Sequence, residues 1–359
     1  MKTSFHFGFL KTFTFCISLL MFQSIFANTT HKEDFLSLSS PISIKSDFLT
    51  VQNKKISPNK DENYLVVAQD GSGDFTQIQA AINSVRSYPA ERITIFIKNG
   101  IYFEKVKVPA WNPNISLIGE SKDKTIIRFN DHFEKINLGR NSTFYTSTLL
   151  VEGNDFRAEN LTIENSAGDI GQAVSLHINA NRILIKNCNL LGNQDTLFVA
   201  GEHFKNYFKD CYIEGTTDFI FGNATAFFDN CILHSKKNSY ITAASTIKEN
   251  NYGLVFKNCK LTASADVNEV YLGRPWRIYA KTVFIQCSFD RHIVPEGWHN
   301  WSKKEAEKTV FYAEYDCFGP GFRPENRVKW ARQLTKKQER FYHIDKVLKD
   351  GNTNWYLTP

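Results

Sequence analysis

Short apolar strands recur from about residue 100 to residue 316, separated by Gly, Asn and Asp, with no long helical pattern between them. Five of them share an apolar core and end in cysteine, and a related segment without cysteine precedes them at 155–161. The five segments are residues 183–188, 206–211, 226–231, 254–259 and 282–287. Their cysteines lie 23, 20, 28 and 28 residues apart, a period that is typical of a solenoid and too long for a meander of hairpins.

This period predicts the fold class. Three short strands and their turns fill one coil of a right-handed parallel β-helix, in which every coil adds one strand to each face. The aromatic content, 14% with 30 Phe and only 2 Met, is also typical of β structure rather than of a helix bundle. We therefore expect an all-β solenoid, a right-handed parallel β-helix with short capping helices.

The stretch before the repeats predicts the first elements of the domain. Residues 65–67 and 92–98 are rich in Val and Ile and indicate two strands. Residues 75–85 have helical periodicity, and Thr76 and Gln79 stand at the spacing of a capping box. We expect this helix to close one end of the solenoid.

A second helical pattern follows the repeats. It begins near Thr335, has Gln338 at capping-box spacing and runs towards Leu348. Gly351 then stands where glycine commonly ends a helix. We expect this second helix to cover the other end of the solenoid.

Two aspartates occupy the same phase of the repeat. Asp195 lies seven residues after Cys188, and Asp218 lies seven residues after Cys211. Because adjacent strands are about 4.8 Å apart, the two carboxylates are expected side by side on neighbouring coils. Such a pair divides into one acid and one carboxylate, which serves glycoside hydrolysis, ester hydrolysis through an acyl-aspartate, or metal binding. The alternative is that both are turn residues at coil corners, where Asp is common.

Polar and aromatic neighbours favour the chemical interpretation. Gln194 precedes Asp195, and Gln172 lies one repeat earlier, so two amides are available to donate hydrogen bonds to an oxyanion. Arg274 stands beside a proline and can hold a carboxylate ionised, and Trp276 can stack on a sugar ring. The corresponding structural roles stay open, namely stacked glutamines, a surface ion pair and a core tryptophan.

The beginning of the sequence predicts export. Residues 1–27 combine basic positions with an apolar run that ends at Ala27, which is the pattern of a signal peptide, and an uncleaved membrane anchor is the alternative. Residues 28–62 are polar and rich in Lys, Ser and Asp, and predict a flexible lead-in. A single folded domain is then expected over 63–359.

Charge, cysteines and sequons agree with export. The formal charge of +6 becomes +4 without the two lysines of the leader, which favours an anionic polysaccharide as partner and equally fits a solvated basic surface. An exported chain is not expected to bind nucleic acid.

Six cysteines remain after Cys16, and their common phase predicts an interior stack of thiols, with one or two disulfides left open. Glycosylation sequons occur at Asn28, Asn114, Asn141, Asn160, Asn223 and Asn300.

Seven stretches in order resemble the plant-type pectinesterases (pectin methylesterases) over roughly residues 64–355. They are DGSGDF at 70–75, GIYFE at 100–104, QAV at 172–174, QDTL at 194–197, GTTDFIFG at 215–222, LGRPW at 272–276 and GW at 297–298. The resemblance implies a right-handed parallel β-helix that removes methyl esters from polygalacturonate without metal or organic cofactor. It further implies a monomeric, secreted cell-wall enzyme of the short form, without an inhibitor-like pro-region, and a pectinesterase inhibitor protein is a candidate partner.

The resemblance also assigns roles. It implies that Asp218 is the nucleophile and that Asp195 is first a proton donor and then a base. Gln172 and Gln194 would donate to the tetrahedral oxyanion, and Arg274 would orient Asp218 and contact the substrate with Gln172.

Two further positions match the family as substrate contacts, namely Trp276 and Thr143. Three positions depart from the family pattern: Asn193 stands where an aromatic is usual, His177 where Arg is usual and Ala244 where Gln is usual. These departures keep a catalytically weak pectin-binding wall protein as an alternative. A polygalacturonase or pectate lyase on the same fold is the other alternative.

Overall fold

The computed structural model describes residues 62–351 and 353–357. Three parallel sheets form the faces of a parallel β-helix, with strands numbered in chain order. The first sheet comprises β1 (Tyr64–Val67), β2 (Ile93–Ile97), β5 (Ile115–Gly119), β8 (Arg157–Glu159), β11 (Ile183–Lys186), β14 (Lys205–Lys209), β17 (Thr225–Asp229), β20 (Leu254–Lys257), β23 (Lys281–Ile285), β25 (Phe311–Tyr315) and β26 (Arg332–Gln333).

The other two faces are shorter. The second sheet comprises β3 (Gly100–Phe103), β6 (Thr125–Phe129), β9 (Thr162–Asn165), β12 (Asn189–Leu191), β15 (Tyr212–Gly215), β18 (Ile232–Ser235), β21 (Lys260–Ala263) and β24 (Ser288–Phe289). The third sheet comprises β4 (Val106–Val108), β7 (Leu149–Val151), β10 (Leu176–Ile178), β13 (Leu197–Val199), β16 (Ile220–Gly222), β19 (Tyr240–Ala244) and β22 (Tyr271–Gly273).

Short helices interrupt or flank the coils. The α-helices are α1 (Ile78–Ser84), α2 (Phe133–Ile136), α3 (Lys336–Glu339) and α4 (Ile344–Val347), and the 3-10 helices are Gly139–Tyr145, Ala306–Lys308, Pro324–Asn326 and Arg340–Tyr342. No helix among the described residues is long and apolar enough to cross a bilayer. The predicted signal peptide and nearly all of the lead-in lie outside the described residues.

The sequence repeat is one coil, as predicted. The five cysteine segments pair in register within the first sheet, so that Phe208, Phe228, Phe256 and Phe284 lie directly above one another inside the helix. Successive rings are 4.5–4.6 Å apart and nearly parallel. Since the ring spacing is close to the strand spacing of about 4.8 Å, the stacked rings favour this register of the coils.

The turn from the first sheet to the second sheet explains why Asn and Asp recur. The residue before each of the six described cysteines has a positive φ between 48° and 56°, a region that Asn and Asp enter more easily than other non-glycine residues. These corner residues are Asn187, Asp210, Asn230, Asn258, Gln286 and Asp316. The corner lets the chain change faces without breaking the ladder.

The predicted cysteine stack is confirmed and has one more member. All six described cysteines are buried and free, and Cys317 extends the five predicted ones by a further coil. Their thiols donate to carbonyls of the preceding coil, for example Cys211 Sγ to the Ile185 carbonyl oxygen at 3.4 Å. Disulfides are not needed to hold this interior, because each thiol packs as a small apolar group.

We expect six titratable thiols in protein that lacks residues 1–27, since each described cysteine is a thiol. Ellman titration after denaturation without reductant measures this number, and titration of the native protein should give almost none because the thiols are buried. Two or more disulfides in the non-reduced peptide map would contradict the stack.

The helix α1 is shorter than predicted and is capped differently. It begins at Ile78, and the expected capping box between Thr76 and Gln79 is wrong, because no side chain next to the helix caps it. The Glu104 carboxylate instead accepts hydrogen bonds from the amides of Ile78 and Gln79, at 2.9 and 3.0 Å. Ile82 is fully buried in the core, and α1 packs against β1 and β4, which are the terminal strands of their sheets. The helix therefore covers this end of the solenoid, as expected.

The C-terminal segment covers a side of the solenoid rather than its end. The capping box of Thr335 and Gln338 is present, but α3 ends at Glu339 and the chain continues through a 3-10 turn into α4. An apolar cluster joins this segment to the outward-facing side chains of the first sheet. Its main members are Tyr207, Phe227, Val255 and Val283 from the sheet, and Tyr342, Val347, Leu348, Trp355 and Tyr356 from the segment.

Candidate active site

The two aspartates lie directly before neighbouring strands of the third sheet. β13 pairs with β16 so that Leu197 faces Ile220, and this register places Asp195 beside Asp218 one coil further on. The Asp195 amide donates to the Thr217 carbonyl oxygen at 3.0 Å, which ties the two turns together. The repeat phase therefore predicted their adjacency correctly.

Both aspartates are turn residues, and both also belong to a buried polar site. Their φ angles are 65° for Asp195 and 49° for Asp218, in the left-handed region that Asp tolerates at a corner. Their exposed fractions are only 9% and 5%. A corner aspartate that serves only the turn can stay in water, whereas these carboxylates are buried beside each other.

One cleft of about 220 Å³ contains every predicted site residue. Its lining comprises Arg140, Thr143, Phe144, Gln172, Gln194, Asp195, Asp218, Phe221, Ala243, Arg274, Trp276 and Trp301. The solenoid places these side chains together because they come from successive coils at the third sheet and from the 3-10 helix Gly139–Tyr145.

Arg274 donates hydrogen bonds from two of its nitrogens to the Asp218 carboxylate. Its Nε lies 2.9 Å from Asp218 Oδ1, and its Nη2 lies 2.7 Å from Asp218 Oδ2. The guanidinium is stacked between the rings of Tyr240 and Trp301, at 4.0 and 3.7 Å from their centroids. With only 17% of its side chain exposed, Arg274 is not part of an ordinary surface ion pair.

The two carboxyl groups differ in their electrostatic surroundings. Burial raises the pKa of Asp195 well above its ordinary value, the Asp218 carboxylate raises it further, and Arg274 only partly opposes both effects. Burial also raises the pKa of Asp218, but here direct hydrogen bonds from Arg274 oppose it. Because only Asp218 has its own cation, we assign the first proton lost to Asp218 and the retained proton to Asp195.

The two glutamines are neighbours on adjacent coils. Gln172 and Gln194 form a parallel bridge, with the Ala173 amide donating to the Gln194 carbonyl oxygen at 3.1 Å. They are stacked, as one interpretation of the sequence held, and both side chains also line the cleft. Their amide groups can donate to an oxygen that gains negative charge beside Asp218.

An aromatic wall borders the carboxylates. Phe198 stacks on Phe221 at 4.6 Å, and Trp276 packs 5.8 Å from Phe221 while it also lines the cleft. Trp276 is thus both part of an apolar cluster and available to a ligand. Thr143 lines the cleft next to Phe144.

The three departures from the family pattern lie outside the lining of the cleft. The His177 ring packs 4.6 Å from Phe198, and burial lowers the pKa of His177 to about 4. Ala244 is buried, and its carbonyl oxygen accepts from the Trp276 amide at 3.0 Å. The Asn193 carbonyl oxygen accepts from the Thr216 amide at 2.9 Å. His177 and Ala244 contact the aromatic residues beside the cleft, and Asn193 contacts the turn before Asp218. None of these three contacts involves a carboxylate of the site.

Sequence reasoning missed several residues of this site. Phe221 stands three residues after Asp218, as Phe198 does after Asp195, so the repeat phase could have revealed both. Trp301 lines the cleft, whereas the tryptophan of the GW match, Trp298, is buried in the core. Tyr240, which stacks on Arg274, has no local signal, because it reaches the site only through the pairing of β19.

Comparison with known proteins gives one consistent family. The pectinesterase family model matches residues 64–351. Pectinesterase 31 of Arabidopsis thaliana is 40% identical over 298 residues, which cover 80% of this chain and 93% of that relative. The structure of pectin methylesterase from carrot matches with a TM-score of 0.75 and 31% identity over 82% of this chain and 95% of that chain.

A further solved structure carries a bound sugar. A pectin methylesterase in complex with a hexasaccharide matches with a TM-score of 0.68 and 30% identity, over 80% of this chain and 97% of that chain. Together with the three parallel sheets, these matches confirm the expected fold, a right-handed parallel β-helix.

Proposed function

This chain belongs to the pectinesterase family, and we propose that its cleft hydrolyses the methyl esters of pectin through an acyl-aspartate. The observation that carries this proposal is the pairing of a carboxylate held by a guanidinium, Asp218, with a neighbouring buried carboxyl group, Asp195. One group can attack while the other delivers a proton.

The first step forms the acyl-enzyme. An Asp218 oxygen attacks the ester carbonyl carbon of a methylated galacturonate, and the carbonyl oxygen becomes an oxyanion that Gln172 and Gln194 stabilise. The tetrahedral intermediate then collapses as the bond to the methoxy group breaks. Asp195 gives its proton to that departing oxygen, which leaves as methanol, and Asp195 becomes a carboxylate.

The second step restores the enzyme. Asp195, now a carboxylate, takes a proton from water, and the resulting hydroxide attacks the anhydride carbonyl of the acyl-enzyme. The bond to the Asp218 oxygen breaks, which returns Asp218 as a carboxylate and leaves Asp195 protonated again. The released galacturonic acid then loses its proton to solvent. Arg274 lies beside Asp218, so it stabilises the carboxylate that leaves in this step.

An assay of two products separates this function from the other activities considered for the fold. Purified protein is incubated with highly methylated pectin, and methanol and new reducing ends are measured in parallel. We expect methanol to appear without reducing ends, because the cleft offers an ester-cleaving pair. Reducing ends with little methanol would indicate a chain-cleaving enzyme, and binding without either product would indicate a wall-binding protein.

Arg274→Lys is expected to lower turnover by about 100-fold, because lysine keeps the charge but loses the planar fork that aligns Asp218. Methanol release under saturating pectin gives this value. The matched control is Arg182→Lys, since Arg182 makes a similar two-nitrogen contact with Asp155, both hydrogen bonds at 2.7 Å, just before strands of the first sheet. If Arg274→Lys kept wild-type turnover, as Arg182→Lys is expected to do, the proposal that Arg274 orients Asp218 would be rejected.

We also propose export to the cell wall as a monomer, with residues 1–27 removed and an inhibitor protein as a candidate partner. Among the sequons that the structure describes, Asn141 is the one expected to carry a glycan, because it is exposed. The Nδ2 groups of Asn114 and Asn300 already donate to the Pro89 carbonyl oxygen and to Glu307. Intact mass of protein secreted from plant cells, before and after deglycosylation, tests both the cut and the site. A chain that retains residue 1 would contradict export by cleavage.

A further inference from the structure

The segment that carries Trp301 has an unusual backbone. Trp301 and Ser302 are consecutive, and both have positive φ, 52° and 55°. This region is uncommon for a bulky aromatic residue and costs free energy unless neighbouring groups hold it in place. The segment therefore needs specific contacts to keep Trp301 where it lies.

Side chains of the same segment supply those contacts. His299 Nδ1 accepts a hydrogen bond from the Trp301 amide at 3.0 Å, and Asn300 Oδ1 accepts one from the Ser302 amide at 2.9 Å. Asn300 is itself anchored, because its Nδ2 donates to Glu307 Oε1 at 2.6 Å. An acceptor two residues before the amide is the usual role of Asp or Asn in an Asx turn, and here a histidine takes it.

The hydrogen bond from His299 acts on the catalytic arginine through one ring. The Trp301 ring lies 3.7 Å from the Arg274 guanidinium carbon, and Lys303 Nζ lies 4.7 Å from the same ring. Lys303 is fixed by hydrogen bonds to the Pro275 and Trp276 carbonyl oxygens, both at 2.9 Å. A shift of Trp301 would remove one of the two rings that hold the guanidinium in its orientation towards Asp218.

We propose that His299 is a positioning residue whose neutral imidazole holds Trp301 against Arg274 and so keeps the guanidinium aligned on Asp218. This inference rests on the proposed function. It also makes the alignment sensitive to pH, because a protonated imidazole carries a hydrogen on both nitrogens and has no acceptor for the Trp301 amide.

The surroundings of His299 set the direction of that sensitivity. The titratable or charged groups that face its ring are Tyr240 at 5.5 Å, Tyr271 at 5.4 Å and the Arg274 guanidinium. Burial lowers the pKa of His299 below its ordinary value, and Arg274 lowers it further. The imidazole is therefore neutral at neutral pH, and the hydrogen bond is lost only as the medium becomes acidic.

The kinetic test compares His299→Asn with His299→Ala over pH. Asparagine keeps an acceptor that does not titrate, whereas alanine removes it. On the acid side the logarithm of kcat/KM should fall with a slope of 1 in His299→Asn, because Asp218 protonates. Wild type should show the same limb and, in addition, a drop of about 3- to 10-fold as His299 protonates and the hydrogen bond to the Trp301 amide is lost. At neutral pH His299→Ala should lose about 3- to 10-fold in kcat, and His299→Asn should restore most of it. The matched control is His203→Asn at an exposed histidine.

An identical acid limb in wild type and His299→Asn, or wild-type kinetics in His299→Ala, would overturn the proposal. A second measurement is independent of catalysis. In protein labelled with ¹⁵N-tryptophan, the Trp301 amide signal, assigned with Trp301→Phe, should move with pH in wild type and not in His299→Asn. If wild type releases no methanol, the proposed function fails while this titration still decides the role of His299. A Trp301 signal that does not respond to pH rejects that role even in an active enzyme.

Discussion

Asp218→Asn is expected to reduce methanol release from methylated pectin by about 10⁴-fold or more, as removal of a nucleophile does in other covalent hydrolases. Asparagine keeps the volume and can occupy the same left-handed corner, so the solenoid should fold normally. Pectin binding should persist or tighten, because one negative charge leaves a cleft that receives an anionic polymer. Initial rates of methanol release and pectin affinity measured on the same preparation give both numbers.

A matched control is available one corner away. Asp210 has the same residue type and a φ of 55°, and Asn187 and Asn230 occupy the equivalent corner in the neighbouring coils. Asp210→Asn should therefore leave both thermal stability and methanol release close to wild type. Substantial activity in folded Asp218→Asn would eliminate it as the nucleophile, and loss of activity in both variants would point to a fold defect instead.

Asp195→Asn is expected to lower kcat by about 10²- to 10⁴-fold, since it removes the group that protonates methanol and later activates water. In wild type, Asp195 must be protonated at the start, so its raised pKa extends activity upward in pH, and activity falls as pH rises through that pKa. The residual activity of the variant should lack this alkaline limb, because an amide does not titrate. A full pH profile of kcat/KM for both proteins measures the difference.

The outcome of that profile is decisive for the assignment. An alkaline limb that survives unchanged in Asp195→Asn would belong to another group and would leave Asp195 without its proposed role as acid. A variant that releases methanol at the wild-type rate near neutral pH would reject that role as well.

Periodicity accounts for most of what the sequence predicted correctly. Cys188 and Cys211 occupy the same position in neighbouring coils. Counting seven residues onward from each reaches Asp195 and Asp218, because each stretch contains one strand of the second sheet and a turn of the same length. Arg274 could be identified only through its motif, since its place beside Asp218 depends on which strand pairs with which.

The errors arise where contacts are distant in sequence. Glu104 caps α1 from 26 residues away, so a capping box built from Thr76 and Gln79 was the wrong local solution. The segment after Thr335 packs on Tyr207 and Phe227, more than a hundred residues earlier, and no local pattern distinguishes a side of a solenoid from its end. Tyr240 reaches Arg274 in the same nonlocal way.

The covering of the outer face by the C-terminal segment has a consequence for the order of synthesis. Tyr356 follows Tyr207 by 149 residues, yet the two rings pack against each other 6.3 Å apart. Coils can stack one by one as they leave the ribosome, but their shared apolar flank stays in water until the segment arrives. The nascent solenoid therefore exposes an apolar surface along one side during most of its translation. That surface is buried only when the C-terminal segment packs on it, after the coils have stacked.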